Sequence, residues 1–288
     1  MFYYILLCMK LVSILICTYN AESTIKETLQ SCLNQSYSNI EILIHDDQSK
    51  DKTLNVINSI WDKRIKIIES GKKLWPYRGL NFLLEHAKWD YIAIQDHDDL
   101  WYPNKIEKQV EFLEENEKYI WCWTKTLIRY EWDNKWYDYY LWKESYYTIH
   151  PSLVFRHNSG YKYPDRIYMC DAFFQKYVLC NWNKLIWNID DILTIHRVKK
   201  WASNYTYKRF NFNKETISTI FTLHPFFYWG CVVMFELMRK LIYPVLHKTK
   251  KTSIIDIIER MPFVLMGYKI KNVDDELNEV RKSLNNLQ

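Results

Sequence analysis

The first half of this chain is constrained most by four short apolar runs, each followed by a segment of helical period. Val12 to Cys17, Ile40 to Ile44, Ile65 to Ile68 and Tyr91 to Gln95 are largely apolar, as strands covered on both faces would be. Between and after them, apolar residues recur at helical spacing: Ile25, Leu29, Cys32 and Leu33; Leu54, Ile57 and Ile60; Leu80, Leu83, Leu84 and Ala87; Ile106, Val110 and Leu113. Ser49 and Asp51 supply capping chemistry before the second helix, and Pro103 falls where the first turn of the fourth is expected. Repeated strand–helix units imply an α/β fold, a mostly parallel sheet with helices on both faces. Ligands of such sheets bind beyond the carboxyl ends of the strands. Three polar clusters stand at such ends: Thr18-Tyr19-Asn20, Asp46-Asp47 and Asp96-His97-Asp98-Asp99. Their convergence on one crevice is the central expectation.

Past residue 118 the pattern changes. Trp121 to Tyr130 alternates like a strand, and Glu131 to Tyr147 is aromatic and acidic without clear period. Ser152 to Arg156 and Leu185 to Ile189 read as strands, and Asp171 to Leu179 as a helix. Beyond Asn204 helices dominate, broken by Pro225 and Pro244. The expected organisation is a ligand-binding half at 1–118, a second half of the same domain at 119–205, and a C-terminal helical extension at 206–288.

Composition removes several classes. A net charge of +5, interleaved along the chain, lacks the basic stripe of a nucleic-acid binder. The seven cysteines include no Cys-x-x-Cys pair, so zinc-ligand spacing is absent. Their odd number and the absence of a signal peptide point to reduced thiols and a cytoplasmic location. No apolar run reaches the roughly 20 residues of a spanning helix. Phe221 to Leu246, followed by Lys248, Lys250 and Lys251, suits either a packed helix with a solvated tail or peripheral contact with an anionic membrane surface. Neither a phosphate-binding P-loop nor G-x-G-x-x-G occurs, and G-x-S-x-G and H-E-x-x-H are missing too.

The acidic run is the strongest chemical signal. Carboxylates packed at a strand end repel one another and call for a cation. Hard oxygen donors favour Mg2+ or Mn2+, and such an ion typically completes its shell with substrate phosphates. Helix capping before Pro103 would explain two acidic residues there, but hardly three in four positions. Asp46-Asp47 fits hydrogen bonding to a base or ribose, and equally fits capping of the next helix. Tyr19 is suited to stacking on a base, or to packing.

These residues resemble a known family. Val12-Ser13-Ile14-Leu15-Ile16-Cys17-Thr18-Tyr19-Asn20-Ala21 resembles the opening strand and turn of family 2 glycosyltransferases of the GT-A (Rossmann-like) fold. Asp46-Asp47-Gln48-Ser49 with Asp51-Lys52-Thr53 resembles their second-strand motif. The stretch from Gln95 through Asp99 and Pro103 to Ile106 resembles the metal motif of the rhamnosyltransferase-like branch. The resemblance covers about residues 11 to 115 and weakens towards 205.

It implies an inverting glycosyltransferase that takes a sugar from a nucleotide diphosphate sugar donor to a hydroxyl on a glycan or lipid-linked acceptor. Thr18, Tyr19, Asn20, Asp46 and Asp47 would line the nucleotide pocket, Asp98 would meet ribose or the metal shell, and Asp99 would hold the Mn2+ or Mg2+ with Asp96 sharing the task. An Arg-Asn pair of the family is replaced by Leu80-Asn81, with Arg78 nearby as a substitute. Asp171, in a segment similar to the family's catalytic helix start, would be the general base, although capping its helix is the simpler role. Arg197 or Lys199, in a segment that helps hold the diphosphate in the family, would do so here, or else that segment is a surface loop. The other class open to this sequence is an inactive relative that binds sugar nucleotides or a partner.

Overall fold

In the computed structural model, the described residues are 10–87, 90–130, 135–139, 149–158, 160–165, 170–179 and 185–198, and all fall in one compact unit. The helices expected at 206–288, Lys199 and the basic tract at 248–251 lie outside them. Among the described residues no helix is long and apolar enough to cross a membrane.

The strands are β1 (Val12–Thr18), β2 (Ile40–Asp46), β3 (Ile65–Ile67), β4 (Tyr91–Asp96), β5 (Leu100–Trp101), β6 (Tyr119–Tyr130), β7 (Lys135–Tyr139), β8 (Val154–Arg156) and β9 (Leu185–Val198). The helices are α1 (Ile25–Leu33), α2 (Thr53–Asn58), α3 (Pro76–His86), α4 (Lys105–Glu115) and α5 (Cys170–Phe173), which runs on as a π-helical stretch, Phe174–Leu179. The sheet order is β3-β2-β1-β4-β8-β6-β9-β5, with β7 on β6. Pairing is parallel from β3 through β2 and β1 to β4, and antiparallel from β4 to β8 and from β8 to β6. The expected parallel core is therefore present, and β1, β2 and β4 are buried almost throughout.

Register brings the strand ends together. Thr18 lies opposite Asp46, and Cys17 opposite Asp96. The chain runs outward from β1 to β2 and β3, then returns to β4 on the other flank of β1. That reversal is the switch point at which doubly wound sheets open a crevice. Gly79 lets α3 close on it: a Cβ there would stand 2.7 Å from Cys17 Sγ and 2.9 Å from His45 Cδ2.

Three elements differ from the sequence reading. Leu100–Trp101 forms strand β5, antiparallel to β9, which moves Pro103 into the turn before α4. Strand β9 does not stop near Ile189; it continues through Asp190 and Asp191 to Val198, parallel to β6. Exposed charge in mid-strand hid that continuation. Lys125 pairs with Asp190 at 2.8 Å and Lys108 with Asp191 at 2.6 Å, where the β6–β9 register slips. The third difference is the aromatic stretch after Tyr130, where β7 returns antiparallel to β6.

One core residue is unusual. Lys105, at the start of α4, is fully buried; its Nζ has no hydrogen-bond partner among the described residues and sits 4.0 Å from the centroid of the Trp101 ring. Burial pulls the ammonium down to about 7. An unfolded lysine titrates near 10.4, so between about 7 and 10.4 the unfolded chain holds more protons and stability rises with pH. Lys105→Met should therefore be more stable than the wild type at pH 7 by the order of a few kcal/mol, less the lost cation–π contact. The gap should close as pH rises towards 10. Urea unfolding of both proteins across that range checks it; a pH-independent gap would show that the lysine is not held neutral.

Candidate active site at the carboxyl edge of the sheet

The acidic run closes β4 and turns into β5. Asp96 and Asp98 are half-buried, whereas Asp99 is fully buried. Thr28 Oγ1 on α1 donates to the carbonyls of His97 (3.1 Å) and Asp99 (3.0 Å), and Gln95 Nε2 donates to the Asp99 carbonyl at 3.0 Å. The turn is thus clamped from both sides. Burial, and after it the charges of Asp99 and Asp98, push the Asp96 carboxyl well above the carboxylate range. Asp171 adds to that push, which places the start of α5 within electrostatic reach of the acidic run.

Asp99 is anchored more firmly than its expected role as a ligand requires. Oδ2 accepts from His196 Nδ1 at 2.8 Å, and Oδ1 accepts the backbone N–H of Arg197 at 2.8 Å. Burial pulls His196 down, but the charge and hydrogen bond of Asp99 outweigh it and lift the imidazole to about 9. His196 is a partner of Asp99 that the sequence did not single out. Its alternation with Leu193 and Ile195 on a strand was the available signal.

Arg197, expected in the diphosphate grip or in a surface loop, is buried on β9. Its Nε donates to the Asp98 carbonyl and Nη1 pairs with Glu27 on α1. Nη2 is buried without a hydrogen-bond partner among the described residues, and so is Thr18 Oγ1 at the end of β1. Buried donors left this way are costly.

The residues at the carboxyl ends of β1 and β2 form a second network. Asp46 accepts the Ser49 N–H at 2.9 Å and the Ser49 hydroxyl at 2.5 Å. Ser49 Oγ accepts from Asn20 N at 2.9 Å, and Asn20 Oδ1 accepts from Lys50 N at 2.8 Å. Asp47 N donates to the Thr18 carbonyl at 2.8 Å, and its Oδ1 accepts the N–H groups of Leu74 (2.6 Å) and Trp75 (3.1 Å). The three non-glycine residues with positive φ among those described, Asn20, Gln48 and Trp75, all border this crevice. Trp75, at φ 68 and ψ 160, occupies a region normally left to glycine, at a cost of about 1–3 kcal/mol. Tyr19 is 40% exposed beside it.

Arg78 is placed elsewhere. It forms a two-pronged ion pair with Asp165, Nε–Oδ1 2.8 Å and Nη2–Oδ2 2.6 Å, on the exposed face of α3. Asn81 holds the same loop through Tyr163, donating to its carbonyl (2.9 Å) and accepting its N–H (2.7 Å). Tyr163 in turn stacks on Phe174 at 3.9 Å and meets His150 Nε2 at 2.7 Å, fixing the chain beside Asp171. Burial holds His150 down at about 4, so it is neutral.

A divalent ion suits this donor set. The carboxylates of Asp96, Asp98 and Asp99 supply hard oxygen, and the charges of Asp99 and Asp98 add to burial in raising Asp96. Among the described residues no three acidic, His or Cys side chains converge closely enough to hold an ion alone. Phosphate oxygens would have to complete the shell, as they commonly do for Mg2+.

Comparison with known proteins agrees with this geometry. The strand and crevice arrangement is that of the GT-A fold. Staphylococcus aureus TarS 1–349 in complex with UDP-GlcNAc superposes with a TM-score of 0.60 at 18% identity, over 74% of this chain and 64% of that one. The mannosyltransferase PcManGT of Pyrobaculum calidifontis, in complex with GDP-Man and Mn2+, gives 0.54 at 16% identity, over 67% of this chain and 58% of that one. In sequence, the Escherichia coli UDP-Glc:alpha-D-GlcNAc-diphosphoundecaprenol beta-1,3-glucosyltransferase WfaP is 45% identical over 106 residues, 37% of this chain and 42% of its own. A putative glycosyltransferase of Bacillus subtilis (strain 168), EpsE, is 42% identical over 111 residues, 38% of this chain and 40% of its own. The chain thus matches only about two fifths of the length of these relatives. The family model "Glycosyl transferase family 2" matches residues 13–180, more than half of the chain, and with the acidic run, the second-strand network and Asp171 all inside that span, this protein belongs to glycosyl transferase family 2.

Proposed function

We propose that the protein transfers a sugar from a nucleotide diphosphate donor to a hydroxyl of a glycan or lipid-linked acceptor, with inversion at the anomeric carbon. The observation that carries this reading is the interlock of the Asp96–Asp99 turn with Arg197 at the switch point of the sheet. It sets the carboxylates of the run beside Arg197, whose Nη2 is a buried donor with no hydrogen-bond partner among the described residues, which supports a metal and an anion being held together there. Asp98 and Asp99, with Asp96 beside them, would hold Mn2+ or Mg2+, which when bound neutralises charge on a leaving diphosphate. Arg197 Nη2 would donate to that diphosphate and Thr18 Oγ1 to the nucleotide. Tyr19 offers a stacking face, while Asn20 and Asp46 keep the pocket loops in shape. Arg78 serves by fixing the 160–165 loop.

Asp171 takes the proton of the acceptor hydroxyl as its oxygen bonds to the anomeric carbon and the bond to the diphosphate breaks. The names of the relatives favour a UDP-sugar donor and an acceptor linked to a diphospholipid. The rhamnosyltransferase-like motif instead favours a deoxyhexose, so the donor screen must contain both. Full-length protein incubated with Mn2+ and labelled UDP-Glc, UDP-GlcNAc, GDP-mannose and dTDP-rhamnose should release nucleoside diphosphate from one of them, and EDTA should stop it. Binding without turnover of any donor or acceptor would identify an inactive relative, and absence of binding would refute the reading.

A further inference from the structure

Resting on that reading, we infer that Trp75 is the second wall of the donor's base site, and that Asp47 acts by building this wall. Tyr19 and Trp75 are two of only three large apolar side chains exposed among the described residues, at 40% and 39%. They come from different loops, Tyr19 after β1 and Trp75 at the start of α3. Yet the ammonium of Lys73 rests on both rings, 3.7 Å from the Tyr19 centroid and 4.7 Å from the Trp75 centroid. The two π faces therefore flank one small space at the carboxyl edge of the sheet. A planar heterocycle taking the place of the ammonium would meet the Tyr19 face near van der Waals separation, about 3.5–4 Å, with the Trp75 ring a little further off on its other side.

The backbone supports the same assignment. Trp75 stands in a conformation that disfavours any side chain, φ 68 and ψ 160. Such strain persists where surrounding structure imposes it, commonly at ligand clamps. Here the imposing group is Asp47 Oδ1, which accepts the N–H of Leu74 and that of Trp75 itself. Asp47 is 4% exposed, and with Oδ1 given to both N–H groups it is well placed to aim the indole. It is a positioning residue, and Trp75 sets the preference for a base-bearing donor.

Titration calorimetry of UDP, GDP and dTDP with Mn2+, alongside Mn2+-pyrophosphate, tests this. Trp75→Leu and Tyr19→Leu should each weaken the nucleoside diphosphate that the wild type binds by about 10-fold or more, the usual worth of a base–aromatic stack. Trp75→Phe, which keeps a stacking face, should restore most of the affinity, and pyrophosphate binding should not change in any variant. Asp47→Ala should match Trp75→Leu, and the double variant should be no worse than either, because both remove one contact. Wild-type affinity in Trp75→Leu would overturn the clamp, and so would an equal loss for pyrophosphate. Additive losses in the double variant would show that Asp47 touches the nucleotide itself. A wild type that binds none of the three nucleotides would sink the proposed function as well, whereas one that binds normally with an indifferent Trp75 sinks the clamp alone.

Discussion

Asp99→Ala is expected to abolish transfer and also to destabilise the protein by about 3–5 kcal/mol, the usual cost of stripping one partner from a buried ion pair. Asp99 is fully buried, and both of its oxygens are engaged, by the His196 ring and by the Arg197 N–H. Removing it takes away a carboxylate from the acidic run and leaves a half-buried imidazolium and a backbone donor without their partner. The pH dependence follows from His196. Its folded value is raised to about 9, against about 6.5 for a free imidazole. A raised value means stability that is fully present below about 6.5 and lost as pH climbs through 9. The stability gap between wild type and variant should therefore narrow over that interval. Chemical denaturation of both proteins at pH 6, 7.5 and 9, paired with donor turnover, measures each part. Lost turnover at unchanged stability would make Asp99 a ligand without a structural role. Retained turnover would remove the acidic run from the chemistry.

Asp171→Asn is expected to lower turnover by roughly 10² to 10⁴-fold, the range for a positioned general base, while donor affinity stays within error. Asp171 is the second residue of the short α5, and the π-helical stretch follows that helix directly. Wide turns of this kind are frequent at functional sites. Phe174, in that stretch, is held by the stacked ring of Tyr163, which Asn81 and His150 fix in turn. A mere helix cap would cost stability and spare turnover at saturating substrate. Steady-state rates with calorimetric donor affinity separate the two. Weakened donor binding with normal turnover would move Asp171 into the nucleotide pocket.

Much of the 1–118 half was legible because its signals are local. Val12 to Cys17, Ile40 to Ile44 and Tyr91 to Gln95 are apolar runs that only a doubly covered strand accommodates, and β1, β2 and β4 stand there. Clusters at their carboxyl ends had to converge once the strands were parallel, and the register pairs Thr18 with Asp46 and Cys17 with Asp96. The far side of the site was harder to read. Asp190 and Asp191 interrupt the apolar pattern of β9, and their partners Lys125 and Lys108 lie far away in sequence. Strand β5 is two residues long and exists through its pairing with β9. Neither element has a local signature to find.

By itself the sequence determined the parallel α/β core, the family, and the positions of Thr18, Asp46, Asp96, Asp98 and Asp171 on strand ends and a helix start. Backbone periodicity and apolar burial act over a few residues, so they are written in the order of the chain. Tertiary structure alone decided what those side chains do with their hydrogen bonds. It turned Asp99 towards His196 and Arg197, Asp47 towards the backbone of Leu74 and Trp75, and Arg78 towards Asp165. Each of these partners is distant in sequence, and a carboxylate carries no local preference among distant donors. Which one it meets depends on loop closure and on which polar groups burial leaves in need of a partner.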